Sequence, residues 1–268
     1  MDFKMVCLDI DGTLLNSKHM ISENTKKIIY KITEEKQIPI ILVSARMPKG
    51  ILFLQEELNI IQPIICYSGS LIQSNNTILL NNTISLSDVK PLYGIMKDLN
   101  IHVSLYRNNE WYVEEMDEWA QQESEITNIK PTIVKFADLF SIWAQKNSGP
   151  NKILCMSSSS NIKELNKKIQ GYHFDKLNVY PSKPTYLEIM PVSATKTSAI
   201  EFLCKMFNIS KSQVIAIGDN YNDMDMIKFA GLGIAMGNAP DEVKKCADDI
   251  TFSNDDDGVA KALEKYII

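Results

Sequence analysis

Met5-Val6-Cys7-Leu8-Asp9-Ile10-Asp11-Gly12-Thr13 is the stretch on which the reading of the whole chain turns. Its first four residues form an apolar run that predicts a short buried strand, and two carboxylates, Asp9 and Asp11, leave the tip. Ile10 keeps those acids at the two-residue spacing of extended chain, pointing to the same side. Like charges so close cost free energy unless a cation joins them. Oxygen ligands suit Mg²⁺, which takes few protein groups and keeps several waters. A carboxylate is already ionised at pH 7, so it can attack phosphorus without a base once a cation lowers the repulsion. An Asp-Gly turn is also an ordinary bend, and the segment alone leaves that reading open.

The same pattern recurs. Ile38 to Val43 ends at Ser44, Ile64 to Tyr67 at Ser68-Gly69, Val214 to Ile217 at Gly218-Asp219, and Leu232 to Met236 at Gly237-Asn238. Continuous apolar runs suit strands buried on both faces, as in a parallel sheet covered by helices. Helices are expected between them: from a Ser22 cap to about Lys36, then Lys49 to Leu58, Ser198 to Phe207, Asp223 to Phe229 and Pro240 to Cys246. Alternating strands and helices predict an α/β fold, a doubly wound parallel sheet, and such sheets bind ligands beyond the carboxyl ends of their strands.

Between Ile84 and Met190 the texture changes to polar helices and alternating strands, at Ile101 to Arg107, Trp111 to Glu115, Lys152 to Met156 and Tyr186 to Met190. Alternation signals a sheet with one covered face. The expected organisation is a core of residues 1–83 and 191–268 with an inserted α+β cap domain at 84–190. An asparagine-rich stretch, 75–82, leads in.

At 268 residues, 45% hydrophobic and 23% charged, the composition is that of an ordinary globular protein. A net charge of −5 argues against broad binding to nucleic acid or anionic lipid. No apolar run reaches the roughly 18 residues that cross a bilayer, and Met1 to Lys4 leads into a strand, so a cytoplasmic protein is expected, as a monomer or weak homodimer with small-molecule partners. Five widely spaced cysteines without a C-x-x-C pair suggest neither a disulfide framework nor a zinc site. His19, His102 and His173 show no carboxylate or serine partner at a suggestive spacing, so they are expected to be surface or packing residues. Trp111, Trp119, Trp143 and the tyrosines of the insertion could line a substrate pocket, but aromatics on alternating strands and amphipathic helices are more often core.

Asp9 to Leu14, Ser44, Lys196 and Gly218-Asp219-Asn220-Tyr221-Asn222-Asp223, in that order and each at a strand end, resemble the motifs of the haloacid dehalogenase superfamily. Within it, the similarity is to Cof-type sugar-phosphate phosphatases, and it extends to Gly233 to Ala239 and Asp257 to Ala260. The resemblance implies a Rossmann-like core and Mg²⁺-dependent hydrolysis of small phosphorylated metabolites through an aspartyl phosphate. Asp9 would be the nucleophile and Asp11 the acid and base. Mg²⁺ would be held by Asp9, Asp11 through its carbonyl oxygen, and Asp219. Asp223 would help through water or by holding Lys196. Ser44, the Ala45 N–H, Lys196 and Asn222 would face the phosphate; Arg46 could bind it bidentately or pair across the surface. The chain departs from the family pattern at Ala45 and Thr197, where glycine is usual, and at Ser68-Gly69-Ser70, where Asn-Gly-Ala is common. The late insertion matches the Cof-type cap, whose part is to choose the leaving group. A phosphomutase of the phosphomannomutase type, or a phosphate-ester binding protein without turnover, remains open at this point.

Overall fold

The computed structural model describes residues 2–75, 77–172 and 174–268. His173 and Asn76, within the stretches named above, lie outside them. The chain forms two compact units, one from residues 1–46, 51–79 and 195–268, the other from 47–50 and 80–194.

The opening run forms β1 (Met5–Asp9), buried along its whole length. After it, Ser22 Oγ accepts from the Thr25 N–H at 3.1 Å and starts α1 (Glu23–Tyr30). The helix continues as a wider turn over Lys31–Glu35, short of the single helix to Lys36 read from sequence. Next come β2 (Ile40–Val43), α2 (Lys49–Leu58) and β3 (Ile64–Cys66). β3 stops one residue short of the expected run because Tyr67 and Ser68 both adopt left-handed backbone, at φ 49° and 50°. The chain then doubles back as β4 (Leu71–Ser74), antiparallel to β3, followed by β5 (Thr77–Asn81). Neither strand was anticipated.

The second unit contains α3 (Leu86–Asp98), β6 (His102–Arg107), β7 (Glu110–Val113), α4 (Glu118–Thr127), β8 (Thr132–Ile133), α5 (Phe136–Gln145), β9 (Lys152–Met156), α6 (Ser159–Gln170), β10 (Leu177–Lys183) and β11 (Tyr186–Pro191). Its sheet runs in the order β10-β11-β9-β6-β7-β8 and is antiparallel except at β7–β8. Alternate strand residues Val103, Leu105, Ile153, Cys155, Leu187 and Ile189 meet Val89, Leu92, Met96, Phe140, Trp143 and Leu165 from the helices in one apolar core. Each such large side chain contributes about 1.5–3 kcal/mol by leaving water.

The chain returns through α7 (Lys196–Phe207), β12 (Val214–Gly218), α8 (Met224–Phe229), β13 (Leu232–Ala235), α9 (Asp241–Lys244), β14 (Asp249–Ile250) and α10 (Gly258–Ile267). The large sheet has the order β14-β13-β12-β1-β2-β3-β4-β5, with β14 through β3 mutually parallel. β1 is central, with Leu8 paired to Ile217 of β12 and Asp9 to Val43 of β2. From β1 the chain winds outward to one side through β2 and β3, and later to the other through β12 and β13. The crevice opens where that order reverses, at the carboxyl ends of β1, β2 and β12. No helix among the described residues is long and apolar enough to cross a membrane.

Candidate active site

Gly12 shapes the turn after β1. It sits at φ +82°, a conformation glycine adopts at little cost, and a Cβ there would lie only 2.9 Å from Asp219 Cγ. The tight turn thus lets the loop after β12 close over the loop after β1. Thr13 Oγ1 donates to Asp219 Oδ1 at 2.9 Å, and Asn238 Nδ2 donates to the Gly12 carbonyl at 2.8 Å. Asn238 Oδ1 accepts from the Asn254 N–H, and Asn254 Nδ2 donates to the Leu15 carbonyl, so the C-terminal loops brace the opening turn.

At the centre, Lys196 Nζ lies 2.5 Å from both Asp9 Oδ1 and Asp223 Oδ1. The three side chains are 2%, 9% and 0% exposed, respectively. Lys196 is the first residue of α7, fixed by a reciprocal cap in which Thr195 and Ser198 bond each other's side chains and backbone. Asp223 Oδ2 accepts from the N–H groups of Asp219 and Asn220 at 3.1 and 3.0 Å, so the acid that grips Lys196 also caps the turn after β12. Capping and ion pairing coexist in one side chain.

Asp9, Asp219 and Asp223 each offer an oxygen, and these oxygens lie within 4.8 Å of one another. Burial pushes the Asp9 carboxyl well above the usual carboxylate range, the Asp223 charge adds to that, and Lys196 pulls it back. Burial also raises Asp219 to about 6, against the Thr13 hydrogen bond. For Lys196, burial works against the charge, but Asp223 and Asp9 outweigh it and hold the ammonium protonated. With three carboxyl groups around one ammonium, both upward shifts mean that full ionisation of the cluster calls for more positive charge than Lys196 supplies. Hard oxygen donors with uncompensated charge are what a divalent cation requires, and these residues fit one.

Asp11 stands apart from that cluster. Its carboxylate receives two bonds from Arg46, Nε to Oδ2 at 2.9 Å and Nη2 to Oδ1 at 2.6 Å. Ser44 is buried; its N–H bonds the Ile65 carbonyl, and its Oγ accepts from the Arg46 N–H at 3.2 Å. Ala45 is half-buried beside it, and Asn222 is exposed in the Tyr221–Asp223 turn. The structure thus gathers Asp9, Lys196, Asp219 and Asp223, pairs Asp11 with Arg46, and leaves Asn222 at the surface. Asn238, named from sequence as a strand-end residue within the Gly233 to Ala239 resemblance but given no role, and Asn254, which carries no signal there, brace the site.

For His102 the expected packing role holds, and the expected lack of a carboxylate or serine partner does not. His102 is buried in the second unit, with Nδ1 2.7 Å from Asp117 Oδ2 and Nε2 2.9 Å from Ser104 Oγ. Trp111 Nε1 also donates to Ser104 Oγ. Ser104 is fully buried, so this network satisfies polar groups inside the domain and presents no nucleophile.

A family profile described as haloacid dehalogenase-like hydrolase matches residues 6–263. A Haemophilus influenzae protein provisionally named a phosphatase is 34% identical, over 99% of this chain and 98% of its own. The Bacillus subtilis 5-amino-6-(5-phospho-D-ribitylamino)uracil phosphatase YcsE is 31% identical, over 100% and 97%. Among solved structures, a haloacid dehalogenase-like hydrolase from Bacteroides thetaiotaomicron superposes with a TM-score of 0.89 at 32% identity, over 98% of this chain and 99% of that one. Similarity that spans nearly the full length, on a fold whose strand-end acids converge as described, makes this chain a member of the haloacid dehalogenase-like hydrolase family, of the Cof type.

Proposed function

We propose that the chain is a Mg²⁺-dependent phosphatase that hydrolyses small phosphomonoesters through an aspartyl phosphate on Asp9. The observation that carries this reading is the buried Asp9–Lys196–Asp223 cluster with Asp219 beside it. A carboxylate fixed at the end of the central strand attacks phosphorus, and the leaving alkoxide takes a proton from Asp11. Water, giving its proton to Asp11, then attacks the phosphorus of the acyl phosphate. Dividing one hard displacement into two replaces an alkoxide by a better leaving group in the second step. Lys196, Ser44 and the Ala45 N–H face the equatorial oxygens, where negative charge spreads in the transition state. Asp9, the Asp11 carbonyl and Asp219 would hold Mg²⁺, which supplies charge neutralisation at the phosphoryl group. Asp223 acts by positioning Lys196.

The inserted domain, 84–190, is proposed to set which esters are accepted. Sugar phosphates and related polyol esters are the favoured class, in keeping with the phosphorylated ribityl chain named in the YcsE substrate. A phosphate-release screen over phosphorylated metabolites with Mg²⁺, run beside Asp9→Asn, tests the reading. Multiple-turnover release that disappears in the variant supports hydrolysis. Phosphate returned to a second position of the sugar, without release, would favour the mutase.

A further inference from the structure

Arg46 and Asp11 occupy the turns that follow neighbouring strands β2 and β1, and the register that pairs Asp9 with Val43 sets those turns side by side. Their two contacts, at 2.9 and 2.6 Å, engage both carboxylate oxygens of Asp11 with two nitrogens of one planar group. We propose that Arg46 is a positioning residue for Asp11, fixing the plane of its carboxyl group, and does not bind the phosphoryl group. The assignment rests on the phosphatase reading and deepens it.

The reason lies in where Asp11 sits. Asp9 and Asp223 are locked by Lys196 and nearly sealed from solvent, whereas the Asp11 side chain is 53% exposed. A carboxylate at that exposure has several rotamers open to it, and two parallel bonds from a rigid fork remove that freedom as no single ammonium could. Lys196 gives two of its three donors to the other two acids. Ser44 Oγ in turn accepts from the Arg46 N–H at 3.2 Å, and the Arg46 carbonyl accepts from the Tyr67 N–H at 3.0 Å, so the backbone beneath the guanidinium is held on both sides.

The proposed chemistry asks one carboxyl group to act twice from one place. First its proton passes to the ester oxygen as the P–O bond breaks and its electron pair stays on that oxygen. Then the carboxylate takes a proton from water, whose oxygen forms the new P–O bond while the bond to Asp9 breaks. Both transfers require hydrogen-bond reach to oxygens on the same side of phosphorus. A misplacement of an ångström costs up to about a hundredfold.

The test is a double-mutant cycle of Arg46→Met and Asp11→Asn with Arg46→Lys alongside, read on the best alkyl ester of the release panel with saturating Mg²⁺. Inhibition by inorganic phosphate provides a binding readout independent of turnover. Arg46→Met should lower kcat by about 10- to 100-fold, with KM and phosphate inhibition within about twofold of the parent. Arg46→Lys, whose ammonium lacks the planar two-nitrogen fork, should recover part of the loss. In the Asp11→Asn background, Arg46→Met should add no further loss, because the group it positions is gone. A tenfold or larger rise in KM and in the phosphate inhibition constant, or additive losses in the double variant, would overturn the assignment while leaving the phosphatase reading intact. A parent enzyme that releases phosphate from no ester overturns the phosphatase reading and this assignment with it.

Discussion

Replacing Lys196 by Met keeps an unbranched stem of similar volume and deletes the one positive charge among three carboxylates. Asp9 and Asp223, 9% and 0% exposed, then face each other without a counter-charge. Removing one member of a buried ion pair costs about 3–5 kcal/mol, because it leaves uncompensated charge out of water. For a domain of this size each kcal/mol moves the melting temperature by about 2–4 °C, so the expected fall is about 6–20 °C. Scanning calorimetry in chelator is the assay. Two controls sharpen it. Asp223→Asn added to Lys196→Met should restore part of the loss, since one fewer charge is stranded. Mg²⁺ should raise the melting temperature of Lys196→Met more than that of the parent, because the ammonium no longer competes with the cation for the same carboxylates. A melting temperature within about 2 °C of the parent in chelator, or a double variant no better than the single, would refute the picture of a charge-balanced buried cluster.

Other outcomes follow from neighbouring features. The Asp219 carboxyl, raised to about 6 by burial, binds its proton more tightly when folded; its contribution to stability is complete below the unfolded value near 3.8 and is lost as pH rises through about 6. Urea unfolding of the metal-free protein should therefore give a parent-minus-Asp219→Asn difference that turns against the parent between pH 4.5 and pH 7, and Mg²⁺ affinity of the parent should rise over the same window as the cation displaces the proton. Gly12→Ala should cost about 1–3 kcal/mol at φ +82° and weaken Mg²⁺ binding in calorimetry, because the added Cβ meets the Asp219 carboxylate; unchanged affinity would separate this turn from the metal site. Ser22→Ala removes the α1 cap and should cost about 1 kcal/mol in denaturant with kcat unaffected.

How much could be read beforehand follows from burial and sequence distance. Strands β1, β2, β12 and β13 were legible because parallel strands covered on both faces read as unbroken apolar runs with polar residues at their exits. Strand β4 was not, since Leu71 to Ser74 follows a turn held in left-handed backbone at Tyr67 and Ser68, a conformation that sequence does not announce for a tyrosine. The approach of Lys196 to Asp9 spans 187 positions, and only the family resemblance pointed to it; no local periodicity carries such a contact. The Arg46–Asp11 pair went unresolved for the opposite reason: each lies in a turn whose neighbour is known only once β1 and β2 are in register. The partners of His102 were not legible because its serine is two residues away on the same strand face while its carboxylate, Asp117, follows an intervening hairpin.

The most direct measurement is a rapid-quench single turnover with a ³²P-labelled phosphomonoester and Mg²⁺, followed by peptide mapping of acid-stable, hydroxylamine-labile label. The account predicts transient label on the peptide containing Asp9, decaying as free phosphate appears, and none in Asp9→Asn, which should also lose turnover. Turnover retained by Asp9→Asn, or label trapped on another residue, would contradict it.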